Sequence, residues 1–244
     1  MTYFLYDFQS DSATLDYNSQ NDNFPVGNVK SKYKTFVYKA TGNTSEYIDI
    51  DFAAAPAINA LGLICNVTSS GTISLKAYSD AARTINTFTE AITPADVILH
   101  KLSATRTEQY WRVEFTDATV TVIEVGRLAL GTYTELPAIA PRPTANTQST
   151  GIRQRSNSGQ SFGVKGVQYQ VASVQWPNNI TNANRVTLNT MFEDVGQYTP
   201  FFADLMSGAG LYDVLYVTFG QDNLAFSRID AGTFTTAIDF IEEL

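Results

Sequence analysis

Glu46-Tyr47-Ile48-Asp49-Ile50-Asp51-Phe52 is the stretch that decides the fold. Ile48, Ile50 and Phe52 fall on one side of an extended chain, and Tyr47, Asp49 and Asp51 on the other. That period of two marks a half-buried β-strand. Pro56 ends it. From Ile58 to Val67 the chain is almost continuously apolar, which suits a central strand covered on both faces. Ser69-Ser70-Gly71 makes a turn, and alternation resumes from Thr72 to Tyr78 with Ile73, Leu75 and Ala77 on one face.

The pattern spreads outward from there. Upstream, Phe36 and Tyr38 share a face in Lys34-Thr35-Phe36-Val37-Tyr38-Lys39. Residues 1–22 are polar, with Tyr3, Phe4, Tyr6 and Phe8 as anchors, and read as an extended arm or an edge strand. Downstream, Asp80 to Asp96 reads as a long loop and Val97-Ile98-Leu99 as a short apolar element. Tyr110–Phe115 and Thr119–Val125 read as an antiparallel pair around Thr116-Asp117-Ala118. Leu128 and Leu130 close the first domain. The expectation is an all-β (mainly β) chain: an N-terminal jelly-roll β-sandwich over residues 1–136, then a small antiparallel β domain with one helix.

Residues 137–163 read as a linker or ordered arm. They hold Pro137, Pro141 and Pro143, and their only charged residues are Arg142, Arg153 and Arg155. Such a basic segment in an acidic chain suits a grip on a neighbouring acidic surface, so these arginines are candidate assembly residues. The second β domain spans 164–244. Val167, Tyr169 and Val171 alternate with Gln168 and Gln170. Leu188, Met191, Phe192 and Val195 then follow the i, i+3, i+4, i+7 spacing of a helix. Thr181 or Asn182 can cap its start, and Gly196 suits its end. Strands are expected at Phe201–Leu205, Tyr212–Phe219, Leu224–Ile229 and Thr233–Ile241.

The chain has 244 residues and a net charge of −8, which argues against a general nucleic-acid binder. Its one cysteine, Cys65, allows no intrachain disulfide. The first residues lack the basic and apolar regions of a secretion signal, and no stretch reaches transmembrane length. Synthesis in a host cytoplasm is the expectation.

Catalytic signals are weak. His100 is the single histidine, and no Gly-x-Ser-x-Gly elbow accompanies it; it reads as a structural or surface residue. Cys65 reads as a small core residue. Asp49 and Asp51 could bind calcium or serve as glycosidase acid and base, but on a strand they read as a solvated face. Arg112 reads as a sheet-surface cation, and Arg127 as a partner of Glu124 or Glu114. No enzyme activity, cofactor or metal is expected. Tyr33, Tyr38, Tyr47, Tyr78 and Tyr110 are the candidate ligand contacts, because tyrosine offers a sugar ring a flat apolar face and a hydroxyl.

Phe24-Pro25, the Ile-Asp-Ile-Asp-Phe strand, Ala60-Leu61-Gly62-Leu63-Ile64 and Tyr110-Trp111-Arg112-Val113 together resemble a discoidin-type, galactose-binding-like jelly roll. The continuation Val125-Gly126-Arg127-Leu128-Ala129-Leu130-Gly131, with a helix ahead of Pro200-Phe201-Phe202, is similar to tailed-phage virion proteins that join this jelly roll to a second β domain. The resemblance implies a structural component of a bacteriophage tail, at its distal end or baseplate. Such a component would sit in the virion as a homo-oligomer and act through protein–protein assembly with other tail proteins. The alternative is a carbohydrate-binding module that contacts a host-surface glycan. A hydrolase built on Asp49 and Asp51 is a third reading.

Overall fold

Strands dominate the computed structural model, as the alternating pattern requires. It describes residues 1–140, 144–155, 161–164, 166–205 and 214–243. The chain forms two units. One comprises Thr2–Glu135 and Phe201–Tyr216; the other comprises Met1, Leu136–Pro200 and Val217–Leu244. The segment 164–244 therefore contributes to both units.

In the first unit the strands are β1 (Thr2–Leu5), β2 (Thr14–Tyr17), β3 (Tyr38–Lys39), β4 (Glu46–Asp51), β5 (Ile58–Cys65), β6 (Thr72–Tyr78), β7 (Asn86–Ile92), β8 (Val97–Arg106), β9 (Tyr110–Thr116), β10 (Glu124–Gly131) and β11 (Thr134–Leu136). Of these, β2 to β10 build a four-stranded sheet in the order β3-β10-β5-β8 and a five-stranded sheet in the order β2-β4-β9-β6-β7, while β11 pairs with β1. Ile48, Ile50, Leu75, Trp111 and Val113 from the second sheet share one core with Leu61, Leu63, Leu128 and Leu130 from the first. This is a jelly-roll-like β-sandwich. The continuous apolar run of β5 has the expected cause, because its other face is covered too. Ala60 joins Leu5, Ala129, Phe202 and Tyr216 in a second cluster there. Gly62 is needed at that contact: a Cβ on it would lie 2.4 Å from the Phe202 ring.

Two sequence expectations change in this unit, and a third is refined. The loop expected from Asp80 to Asp96 contains β7, an edge strand paired with β6. It escapes notice because an edge strand needs few apolar residues, and most of β7 is exposed or half-buried. The expected pair of Tyr110–Phe115 with Thr119–Val125 does not form. Instead β9 lies between β4 and β6, while β10 pairs with β3 and β5 in the opposite sheet. The expected arm or edge strand of residues 1–22 supplies β2 at the edge of the five-stranded sheet, and it also supplies β1, which pairs with β16 (Phe201–Asp204) and fully buries Phe4 and Leu5.

Asp117 holds the crossover between the sheets. Its carboxylate accepts from the Thr119 hydroxyl (2.6 Å), the Thr68 hydroxyl (2.7 Å), and the backbone N–H groups of Thr119 (2.8 Å) and Thr68 (2.7 Å). These donors, the Thr119 hydroxyl first, hold its pKa well below the ordinary carboxylate range. A folded-state pKa below the unfolded value stabilises the fold at pH above about 4, and that contribution fades as pH falls toward the folded value. Asp117→Asn is therefore expected to lower stability at pH 7 and to flatten its fall below pH about 4. Urea midpoints measured across pH check this; an unchanged acid limb would contradict it.

The second unit holds β12 (Thr144–Ser149), β13 (Ile152–Arg155), β14 (Ser161–Val164), β15 (Gln168–Thr181), α1 (Asn182–Val195), the second half of β17 (Val214–Phe219), β18 (Ser227–Arg228) and β19 (Thr233–Glu242). The order β17-β19-β15-β12 is antiparallel throughout the pairs described, and β18 adds to β19. The expected strand Leu224–Ile229 shrinks to β18. The helix forms as its spacing predicts. The Thr181 hydroxyl accepts from the Asn184 N–H, and the Asn184 side chain accepts in return from the Thr181 N–H. Gly196 closes the helix at φ +55°, a left-handed conformation that favours glycine. Leu188, Met191 and Val195 are buried, and Phe192 meets Phe219 edge-on at 5.2 Å. The segment expected to be a linker or ordered arm carries strands β12, β13 and β14.

Candidate functional site

The outer face of the five-stranded sheet gathers three of the five candidate tyrosines. The register places Asp51 opposite Tyr110 and Tyr110 opposite Tyr78. One rung further, Asp49 faces Arg112 and Arg112 faces Lys76; beyond that, Tyr47 faces Glu114. The period of two that buries Ile48 and Ile50 is what directs Tyr47, Asp49 and Asp51 to this side.

Asp49 is buried, not solvated. Arg112 grips it with two bonds, Nε to Oδ1 at 2.7 Å and Nη2 to Oδ2 at 2.9 Å. Arg83 adds its Nε at 3.1 Å from the same Oδ1 and a short contact from Nη2 to Asp51. The bond to Asp49 raises the Arg112 pKa further. Burial raises the Asp51 pKa above the ordinary carboxylate value; Asp49 and Asp16 add to the rise while Arg83 opposes it.

Two rings flank this ionic cluster. The Arg112 guanidinium lies 3.7 Å from the centroid of the half-buried Tyr47 ring, and that of Arg83 lies 6.0 Å from Tyr110. Arg83 reaches the face from the turn between β6 and β7, where it adopts φ +53°. A non-glycine residue in that region stores about 1–2 kcal/mol of strain, and such residues gather at functional sites. The turn is fixed by Asp80, whose carboxylate accepts from Ile85 N (2.8 Å), Thr84 N (3.1 Å) and the Thr84 hydroxyl (2.8 Å). The same bonds, that from Ile85 first, lower its pKa.

Arg83 is absent from the sequence reading because it lies in what reads as a loop. Its signal is Asp80 four residues ahead of Thr84, a pattern of local carboxylate bonds that fixes a turn. The other candidates separate from this face. Tyr38 is fully buried, its hydroxyl donates to Ser19 O at 2.6 Å, and burial raises its pKa; it is a core residue with no ring face for a ligand. Tyr78, on the face beside Tyr110, is buried at 6% exposed and offers a ligand little ring surface. Tyr33 sits on the loop after the helical turn Val26–Lys30, 45% exposed and 6.0 Å from the exposed ring of Phe36.

Arg127 corrects a further expectation. It pairs with neither Glu124 nor Glu114, which bind Lys39 and Lys76 (each 2.7 Å). It binds Asp11 at 2.7 Å. Cys65 is a buried free thiol, with its pKa pushed up to about 11 by burial. His100 lies 3.1 Å from Glu90. Arg142 lies outside the described residues, and so do the side chains of Arg153 and Arg155, whose backbone forms part of β13. Among the described residues no group of three or more histidine, cysteine, aspartate or glutamate side chains is arranged to hold a metal.

No protein-family model and no curated protein matches the sequence. Solved structures similar to the chain include carbohydrate-binding modules. Chitosan-binding module 1 from the chitosanase/glucanase of Paenibacillus sp. IK-5 shares 17% identity over 51% of this chain and 98% of its own, with a TM-score of 0.45. A Streptococcus pneumoniae fucose binding module shares 13% identity over 52% of this chain and 99% of its own, with a TM-score of 0.44. The family 32 module of C. perfringens NanJ, solved with galactose, shares 6% identity over 55% of this chain and 100% of its own, with a TM-score of 0.43.

Proposed function

We propose that this chain is a carbohydrate-binding module that holds a host-surface glycan on the outer face of its five-stranded sheet. The observation that carries the reading is the Tyr47–Arg112–Asp49–Arg83–Asp51–Tyr110 cluster. Its two guanidinium groups and two carboxylates neutralise one another. They therefore present fixed N–H donors and oxygen lone pairs without net charge, which suits sugar hydroxyls, each both donor and acceptor. Tyr47 and Tyr110 supply flat apolar surface for the C–H faces of a sugar ring. Asp49 and Asp51 are both engaged by arginines, so they do not form an acid–base pair across a cleft.

Tyr47→Ala is expected to weaken glycan binding about tenfold, as loss of one stacking contact of about 1.4 kcal/mol requires. Tyr33→Ala, on a separate loop, is expected to leave binding unchanged. A glycan array followed by titration calorimetry measures both. No binding across a broad panel would end the proposal, and loss of binding in Tyr33→Ala alone would move the site to that loop.

A second reading is a structural component of a bacteriophage tail or baseplate that acts through assembly in the virion. One feature favours an assembly role, the exposed aliphatic side chains of Ile152, Val164 and Val167 in the second unit.

A further inference from the structure

The two tyrosines of the candidate face stand too far apart to serve one sugar. Tyr47 and Asp51 lie on β4 with Asp49 between them, and Tyr110 is the register partner of Asp51 on β9. Tyr47 and Tyr110 are therefore separated along the strands by the length of four residues, about 13 Å at the rise of an antiparallel strand. Their side chains do not close that gap, because the ionic cluster fills it. Arg112 lies over Tyr47 at 3.7 Å and Arg83 lies 6.0 Å from Tyr110. The two guanidinium groups meet on Asp49, whose Oδ1 is 2.7 Å from Arg112 Nε and 3.1 Å from Arg83 Nε. Both rings are half-buried, so each keeps exposed surface.

A pyranose ring with its hydroxyl oxygens is about 5–6 Å across, built as it is from single bonds of about 1.5 Å. One such ring cannot touch both tyrosines, and about three in a row reach from one to the other. The groups between the tyrosines suit a middle unit. The Asp51 side chain is 37% exposed and that of Arg112 21%, so an acceptor and a donor are both open to hydroxyls there. The direction of the row also follows from the sheet. Across the strands, the aromatic beside Tyr110 is the buried Tyr78, and the neighbours of Asp49 and Arg112 are the charged Asp16 and Lys76. The second usable ring lies along the strands, at Tyr47. We infer that this face binds a linear glycan along its length, over about three sugar units laid parallel to β4 and β9, with the outer rings on Tyr47 and Tyr110. The inference rests on the carbohydrate-binding reading and adds the form of the glycan to it: an unbranched chain gripped along its length, not a single terminal sugar.

The test uses the full chain and linear β-1,4-linked oligomers of glucose, mannose and N-acetylglucosamine, each from monomer to pentamer, in titration calorimetry. At least one series is expected to bind, with affinity rising at least tenfold from monomer to trimer and levelling off beyond it, because the second stacking contact forms only when the chain spans both rings. Tyr47→Ala and Tyr110→Ala are each expected to cost the trimer about tenfold and to leave it little tighter than the monomer. Melting curves check that both variants fold. A monomer that binds the wild-type protein as tightly as the trimer does would overturn the inference without recourse to any variant. So would a length dependence that survives in both variants, or a glycan array on which the protein takes branched or terminal sugars and none of the three series. An array with no bound glycan at all would remove the carbohydrate-binding reading itself, and this inference with it.

Discussion

Arg127→Ala is expected to lower folding stability by about 3–5 kcal/mol. The guanidinium is 1% exposed. Its Nη1 donates to Val29 O at 3.1 Å, its Nη2 donates to Asp11 at 2.7 Å, and its Cζ lies 4.5 Å from the centroid of the Phe8 ring. One side chain on β10 thus ties down the Phe8–Asp11 turn and the Val26–Lys30 turn together. Alanine would leave a void and a buried carbonyl without its donor, and each adds to the loss. Arg127→Met keeps most of the volume but not the bonds, so its loss is expected to be nearer 1–3 kcal/mol. Asp11→Ala is expected to cost under about 1 kcal/mol, because that carboxylate is 40% exposed and water screens it. Urea unfolding ranks the three variants. Equal losses for Arg127→Ala and Asp11→Ala would show that the surface ion pair, and not the burial of the guanidinium, holds these turns.

The same residue shows how far the sequence can be read. A strand pattern states which side a residue faces, and on that point β4, β5, β6, β9 and α1 form as their spacing predicts. It does not state what covers that side. Arg127 lies 116 residues from Asp11, and only the closed sandwich brings them together. Asp49 reads as solvated because it shares a face with Tyr47 and Asp51. It is buried because the turn after β6 folds Arg83 onto that face. The expected pairing of Tyr110–Phe115 with Thr119–Val125 assumed that neighbouring strands form hairpins, whereas a sandwich sends some of them to opposite sheets. Tyr47, Tyr110 and Arg112 were visible as residue types in a pattern. Their convergence with Arg83 depends on a left-handed turn residue that carries no pattern of its own.

Asp49→Ala is the substitution that joins stability to function. Asp49 is the carboxylate that both Arg112 and Arg83 contact as an ion pair, and its side chain is 6% exposed. Removing it leaves two partly buried cations without their common partner, at an expected loss of about 3–5 kcal/mol. If that loss reflects orphaned charge, deleting a cation as well must restore part of it. The double variant Asp49→Ala with Arg112→Met is therefore expected to be more stable than the sum of the single losses by at least about 1 kcal/mol. Strict additivity would show that the three side chains do not act as a unit. Arg112→Lys separates the two roles. Lysine retains a charge beside Asp49, so the fold is expected to survive, but it lacks the planar fork that binds both oxygens and stacks on Tyr47. Glycan affinity is expected to fall about tenfold or more in that variant with little change in melting temperature. Unchanged affinity would mean that Tyr47 needs no guanidinium behind it, and that the ionic cluster serves the fold alone.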